Sequence, residues 1–168
     1  MLSLREAERD QPIVMADALT ANRLNDEAAV IRSHCLAHGQ RQFSEIDEVF
    51  PEECSRVITD LKAVFQHEAA TRDQAMTATE RLAYHQTPSA PILDDLKVWL
   101  ERQFTGRLVE PASRLGKAFH YLLNHGPELT QFLRVPGAPI ENNTVERARK
   151  RMIRQRQNSL FYASAHSA

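Results

Sequence analysis

Apolar residues repeat at helical spacing along residues 38–133, and this pattern constrains the fold more than any other feature of the sequence. Residues three or four positions apart lie on one face of an α-helix, so each apolar stripe predicts a helix with one buried side. Three such stripes are Val57, Ile58, Leu61, Val64 and Phe65; Ile92, Leu93, Leu96, Trp99 and Leu100; and Leu115, Phe119, Leu122 and Leu123. Proline and glycine cluster near residues 87–91, 106–111 and 135–139, where we expect the chain to turn.

Serine and proline residues predict where two of these helices begin. Ser89 has the residue type of an N-cap, and Pro91 suits the first helical turn that would follow it. Pro127, which follows Gly126, can open a further short helix. We therefore expect helix starts near residues 89 and 127.

Two short apolar runs precede the helical block and predict β-strands. Residues 12–19 (PIVMADAL) predict a buried strand that ends at or near Asp17. Residues 28–36 (AAVIRSHCL) contain the β-branched Val30 and Ile31, although a short helix is the alternative in a run of this length. Two strands are too few for a stable sheet. The pattern therefore predicts an α/β fragment dominated by α-helix, taken from a larger α/β unit.

Composition excludes several classes of protein. The chain has 168 residues, which fits one domain. Only 5 Gly and 2 Cys argue against collagen and against a disulfide-stapled mini-protein. No apolar run approaches the ~18 residues of a membrane span, and the charged N-terminus has no signal-peptide core. We expect a cytoplasmic protein with reduced thiols and no membrane partner.

The net charge of −1 conceals a basic segment near the C-terminus. Residues 1–84 contain 9 basic and 15 acidic residues, whereas residues 85–168 contain 12 and 7. Residues 140–157 alone contain six basic residues and two acidic ones. Such a strip on a nearly neutral chain favours a polyanionic partner, and a solvated helix face is the alternative.

Two acidic residues stand where a metal site is plausible. Asp17 is at the end of a predicted strand, a common position for ligand sites in α/β sheets, and a turn-forming aspartate is the alternative. Glu146 falls in the first turn of a predicted helix that covers about residues 144–157. There it would be a metal ligand, or it would complete a capping box with Asn143.

The pattern His34-Cys35-x-x-His38 has the residue types of half a zinc site. A structural zinc site needs four ligands, usually in two close pairs, and no second pair follows. Cys54 is the other cysteine of the chain. We therefore expect a buried cysteine and partly exposed histidines here.

Four segments of the sequence stand out together: residues 12–22 (PIVMADALTAN), 34–43 (HCLAHGQRQF), 138–151 (APIENNTVERARKR) and 156–162 (RQNSLFY). They resemble the motifs of one group of bacterial transposases, the insertion sequence sixty-six (IS66) family. Residues 34–43 resemble its HCxxHxRRxF signature, and residues 138–151 resemble its APxDNNxxERxLK block. Residues 156–162 (RQNSLFY) are similar to its RKNSLFY segment. Residues 12–22 (PIVMADALTAN) are similar to its segment with an upstream acidic residue. The four matches follow the family's order and span residues 12–162.

The resemblance implies a ribonuclease-H-like core of the DDE type. In that family three carboxylates hold two divalent cations, Mg²⁺ or Mn²⁺, for cleavage and transfer of DNA strands. Asp17 matches the second acidic residue, and Glu146 matches the glutamate, which implies that both are catalytic metal ligands. The same resemblance and the basic strip assign contacts with DNA phosphates to Arg41, Arg147, Arg149, Lys150, Arg151, Arg154 and Arg156.

The chain also departs from the family pattern. The family's first catalytic aspartate lies on an upstream strand, and the sixteen residues before Asp17 offer no counterpart. Gln40 replaces a usual Arg, Glu141 a frequent Asp, and Gln157 a Lys. We expect a transposase truncated at both ends and inactive alone. The alternatives are a non-catalytic regulator that binds DNA or full-length transposase, or a remnant without function.

The resemblance also predicts a division of the chain. It assigns residues 1–43 to a partial catalytic core, residues 44–139 to a helical insertion, and residues 140–168 to a basic helix that completes the core. Expected partners are transposon-end DNA, full-length transposase or a second copy of the chain.

Overall fold

The computed structural model describes residues 11–16 and 30–142, and it begins with two parallel strands. Strand β1 is Ile13–Ala16 and strand β2 is Ile31–His34. Ile13 pairs with Ile31, and Ala16 pairs with His34. Both predicted strands are confirmed, and the helical alternative for residues 28–36 is wrong because the backbone of β2 is paired with β1.

Six helices follow the strands in the described part of the chain. They are α1 (Leu36–Ser44), α2 (Pro51–Asp73), α3 (Ala78–Gln86), α4 (Ser89–Thr105), α5 (Arg114–Asn124) and α6 (Gly126–Leu129), with a 3₁₀ turn at Gln131–Leu133. The chain is therefore mostly helical with a small parallel sheet, as predicted. None of the described helices is long and apolar enough to cross a membrane.

The core lies where α1, α2, α4 and α5 meet, and the ring of Phe119 on α5 is at its centre. Phe119 is fully buried. It stacks on Phe43 of α1 at 6.0 Å between ring centres, and it forms a T-shaped pair with Trp99 of α4 at 5.5 Å between ring centres. Aromatic pairs at these separations stabilise beyond the area they bury. The predicted stripes face this core, with Val57, Leu61, Leu96 and others almost fully buried.

The predicted helix starts near residues 89 and 127 are both confirmed, whereas the predicted role of Ser89 as the N-cap is wrong. Pro127 occupies the first turn of α6. Helix α4 begins at Ser89 itself, Pro88 is the N-cap residue, and no side chain caps the helix. The Ser89 hydroxyl is buried and bonds instead with Nδ1 of His67 at 3.0 Å and Nδ1 of His85 at 2.8 Å. Ser89 is thus already inside the helix, and its hydroxyl is used by one buried and one half-buried imidazole rather than by the helix start.

Candidate functional site

The carboxyl ends of both strands lie at one edge of the sheet, because β1 and β2 run parallel. The final pair of the register joins Ala16 to His34. Asp17 follows Ala16 directly in the sequence and lies outside the described residues. Crevices at the carboxyl ends of parallel strands are the usual ligand sites of α/β sheets.

A segment from the far end of the chain docks at this same edge. The backbone N–H of Leu36 donates to the carbonyl oxygen of Ile140 at 3.0 Å. The Ser33 hydroxyl donates to the carbonyl oxygen of Pro139 at 3.3 Å. Ile140 is 1% exposed and Ala138 is fully buried. Residues 138–140 are therefore packed and hydrogen-bonded beside the end of β2.

Two arginines hold this segment from the helical block. Arg81 of α3 donates through Nη1 to the carbonyl oxygen of Ala138 at 2.8 Å. Arg72 of α2 donates through Nη2 to Oε1 of Glu141 at 3.0 Å. We name residues 138–142 the docked segment. Its position is fixed jointly by the strand edge and by helices α2 and α3.

Glu68 of α2 organises both arginines. Its Oε2 accepts from Nε of Arg81 at 2.7 Å and lies 3.0 Å from Nε2 of His85, while its Oε1 accepts from Nε of Arg72 at 3.2 Å. Burial by itself would raise the pKa of Glu68. The hydrogen bonds from His85 and Arg81, with the charges of Arg81 and Arg72, outweigh burial and lower that pKa to about 2. Glu68 is therefore an anion at neutral pH.

The histidines and the cysteine of the His34-Cys35-x-x-His38 pattern do not converge. Cys35 is 7% exposed, whereas His34 and His38 are half-buried, as expected from the sequence. The His38 ring lies 6.1 Å from the ring of Tyr121. The His34 ring instead lies 5.1 Å from the ring of His125, at the junction of α5 and α6.

One of the predicted DNA contacts lies within the described residues. Arg41 is exposed on α1, the helix that begins at the sheet edge. The remaining predicted site residues lie outside the described residues: Asp17, Glu146, Arg147, Arg149, Lys150, Arg151, Arg154 and Arg156.

Sequence reasoning missed the buried group around Glu68. Glu68 and Arg72 are four residues apart on α2, a spacing that places side chains side by side on a helix. That local signal is weak because surface helices contain many such pairs. The contact of Glu68 with Arg81 spans 13 residues and depends on the packing of α2 against α3.

Comparison with known proteins points to one family. The family described as Transposase IS66 family matches residues 4–168. A protein of Sinorhizobium fredii, "Uncharacterized protein y4jD", is 30% identical over 95% of this chain and 33% of its own length. A second from that organism, "Uncharacterized protein y4hP", is 26% identical over 80% of this chain and 26% of its own length. The chain thus spans about a third or less of these relatives. No solved structure matches the chain.

Proposed function

Because the chain belongs to the IS66 family of transposases, we propose that it forms part of a transposase catalytic core. In this proposal Asp17 and Glu146 bind divalent cations. The DNA contacts are made by the seven basic residues assigned above: Arg41, Arg147, Arg149, Lys150, Arg151, Arg154 and Arg156. The division into residues 1–43, 44–139 and 140–168 belongs to the same proposal. Bound cations would activate the attacking oxygen and stabilise the leaving oxygen at a DNA phosphodiester. The two carboxylates are hard oxygen ligands, which suit Mg²⁺ and Mn²⁺.

The hydrogen bond from Leu36 to Ile140 is the observation that carries this proposal. It brings the segment that leads to Glu146 to the sheet edge where β1 ends. Asp17 follows Ala16 directly, so its Cα lies about 3.8 Å from that of the strand's last residue. Glu146 is four residues beyond Asn142, and a chain of that length spans at most about 14 Å. Chain connectivity therefore allows both carboxylates to reach the same edge of the sheet, which supports the proposal.

Helices α2 and α3 anchor the docked segment through side-chain hydrogen bonds. Arg72 and Arg81 hold the docked segment, and Glu68 holds both arginines. A metal ligand that follows an anchored segment loses less entropy on binding than one on a free loop. We infer that Glu68, through Arg72 and Arg81, positions the docked segment and so the start of the segment that carries Glu146.

Cation binding tests the assignment directly. We expect Mn²⁺, followed by electron paramagnetic resonance, to bind the chain at least about tenfold less tightly after Asp17→Asn or Glu146→Gln. The matched controls are Asp47→Asn and Glu101→Gln, which make the same chemical changes at exposed positions. Equal Mn²⁺ affinity in all five proteins would contradict the assignment.

Cleavage of DNA is a separate question. Two of the three carboxylates match residues of this chain, so we expect no nicking of supercoiled plasmid with Mg²⁺ or Mn²⁺ by the chain alone. The comparison is with Glu146→Gln on the same gel. Nicking by the unchanged chain and not by the variant would retain Glu146 as a ligand, and it would show that another acidic residue completes the site.

A further inference from the structure

His34, His125 and Glu128 come together outside the proposed carboxylate site. His34 ends β2, His125 joins α5 to α6, and Glu128 lies in α6. One ligand atom from each residue lies within 4.8 Å of the other two, and all three residues are half-buried. The cluster therefore lies between the end of β2 and helix α6.

The distance between the centres of the two imidazole rings matches that expected for two ligands on one zinc ion. With a Zn–N distance of about 2.0 Å, the centre of a bound imidazole ring lies about 3.2 Å from the metal. Two rings at the tetrahedral angle then have centres about 5.2 Å apart. The centres of His34 and His125 are 5.1 Å apart, with 62° between the ring planes.

Glu128 contributes a buried carboxylate oxygen to the cluster. Its Oε2 is inaccessible to solvent and has no hydrogen-bond partner within the described part of the chain. A buried carboxylate oxygen without a donor is unfavourable, and a cation removes that penalty. His125 and Glu128 are three residues apart, the spacing that places side chains on one face of a helical turn.

We propose that His34, His125 and Glu128 bind one transition-metal ion of the Zn²⁺ class, with a fourth position open to solvent. Two imidazoles and one carboxylate form a known donor set for zinc, whereas Mg²⁺ prefers oxygen ligands alone. Ligand atoms around a tetrahedral zinc ion are about 3.4 Å apart. The ligand atoms of the three residues lie within 4.8 Å of one another, so small side-chain rotations that bring them closer form the site. The bound ion joins β2 to α6.

Cobalt substitution tests this site by its visible spectrum. Co²⁺ is added to the chain, prepared without a polyhistidine tag, and the absorption of tetrahedral Co²⁺ is recorded. We expect one equivalent of Co²⁺ to give that spectrum and Zn²⁺ to abolish it. The variants His125→Gln and Glu128→Gln should bind Co²⁺ at least about tenfold less tightly.

Three controls separate this site from other ligands. His120→Gln removes a histidine of α5 outside the cluster, Cys35→Ser removes the adjacent thiol, and Glu146→Gln removes the proposed Mn²⁺ ligand. All three should retain the Co²⁺ spectrum, and circular dichroism should show folded protein for every variant. Absence of a Co²⁺ spectrum from the unchanged chain would overturn the proposal. So would a spectrum that survives in both His125→Gln and Glu128→Gln, or one that is lost in Glu146→Gln alone.

Discussion

Glu68 shows at the scale of one residue how the fold tolerates a buried charge. The carboxylate is 7% exposed, and three cationic or hydrogen-bonding side chains contact it: Arg72, Arg81 and His85. Removing one partner of a buried ion pair leaves the other charge uncompensated, which destabilises by about 3–5 kcal/mol. The Glu68→Gln variant keeps the shape and removes the charge. We expect the free energy of unfolding in urea to fall by about 3 kcal/mol.

Glu101→Gln is the matched control for this variant. Glu101 pairs with Lys97 on the exposed face of α4 at 4.0 Å. Exposed pairs of this kind contribute about 0–1 kcal/mol. A similar loss of stability in both variants would show that the buried contacts of Glu68 stabilise the fold no more than an exposed ion pair does.

The pKa of Glu68 also predicts how stability depends on pH. The folded-state pKa of about 2 lies below the ordinary value of 4.5, so the folded chain holds this proton less tightly than the unfolded chain. The stabilisation is therefore complete above about pH 4.5 and is lost as the pH falls toward about 2. The shift corresponds to about 3 kcal/mol at full extent. Urea unfolding at several pH values should show a decline below pH 4.5 that Glu68→Gln reduces, and an unchanged decline would contradict the assignment.

Few of these residue-level contacts follow from sequence alone. The expectation of a buried Cys35 beside half-buried histidines was confirmed. The contacts of Glu68 with Arg81 and His85 span 13 and 17 residues and exist because α2 packs against α3. A local pattern has no information about which helices become neighbours. For the same reason, the sequence predicts Ser89 as a cap, although its hydroxyl bonds with His67 and the buried His85.

At the scale of an element, the start of α5 depends on close backbone contact. A Cβ added at Gly116 would overlap the carbonyl oxygens of Glu110 and Pro111, the second at 2.7 Å. Backbone atoms cannot move aside as a flexible side chain does, so Gly116→Ala must shift the turn before the helix. We expect a loss of about 1–3 kcal/mol in the free energy of unfolding.

Gly126→Ala is the control for this substitution. A Cβ at Gly126 meets no atom within 4 Å, and the residue is the first of α6. Alanine there should leave stability unchanged or raise it by up to about 1 kcal/mol, because it restricts the unfolded chain. Equal losses at both glycines would argue against the close contact at Gly116.

The elements themselves were largely predictable because each has a one-dimensional signal. Periodicity predicted α2, α4 and α5, and the apolar runs predicted β1 and β2. The docking of residues 138–140 beside β2 was not predictable from a local pattern, because the hydrogen bond from Ser33 to Pro139 joins residues 106 positions apart. Only the resemblance to separate motifs of the family predicts that these segments lie together.

At the scale of the whole molecule, the basic residues of the C-terminal part follow the docked segment in sequence. The docked segment at the sheet edge is followed directly by residues 143–157, which contain six basic residues. A protein that neutralises six phosphates of duplex DNA releases their counterions, and the logarithm of its binding constant then falls with the logarithm of salt at a slope of about −5. We expect that slope for nonspecific duplex DNA, measured by fluorescence anisotropy.

Paired charge variants test where this DNA affinity originates. The double variant Arg149→Gln with Arg151→Gln removes two cations from the basic segment and should make the slope less steep by about 2. The double variant Lys97→Gln with Arg102→Gln removes two cations from exposed positions on α4, and the slope should not change. If both pairs reduced the slope equally, binding would depend on overall charge rather than on this segment. A slope near zero for the unchanged chain would eliminate phosphate binding by the basic residues, and the proposed role in DNA transposition would then rest on the carboxylates alone.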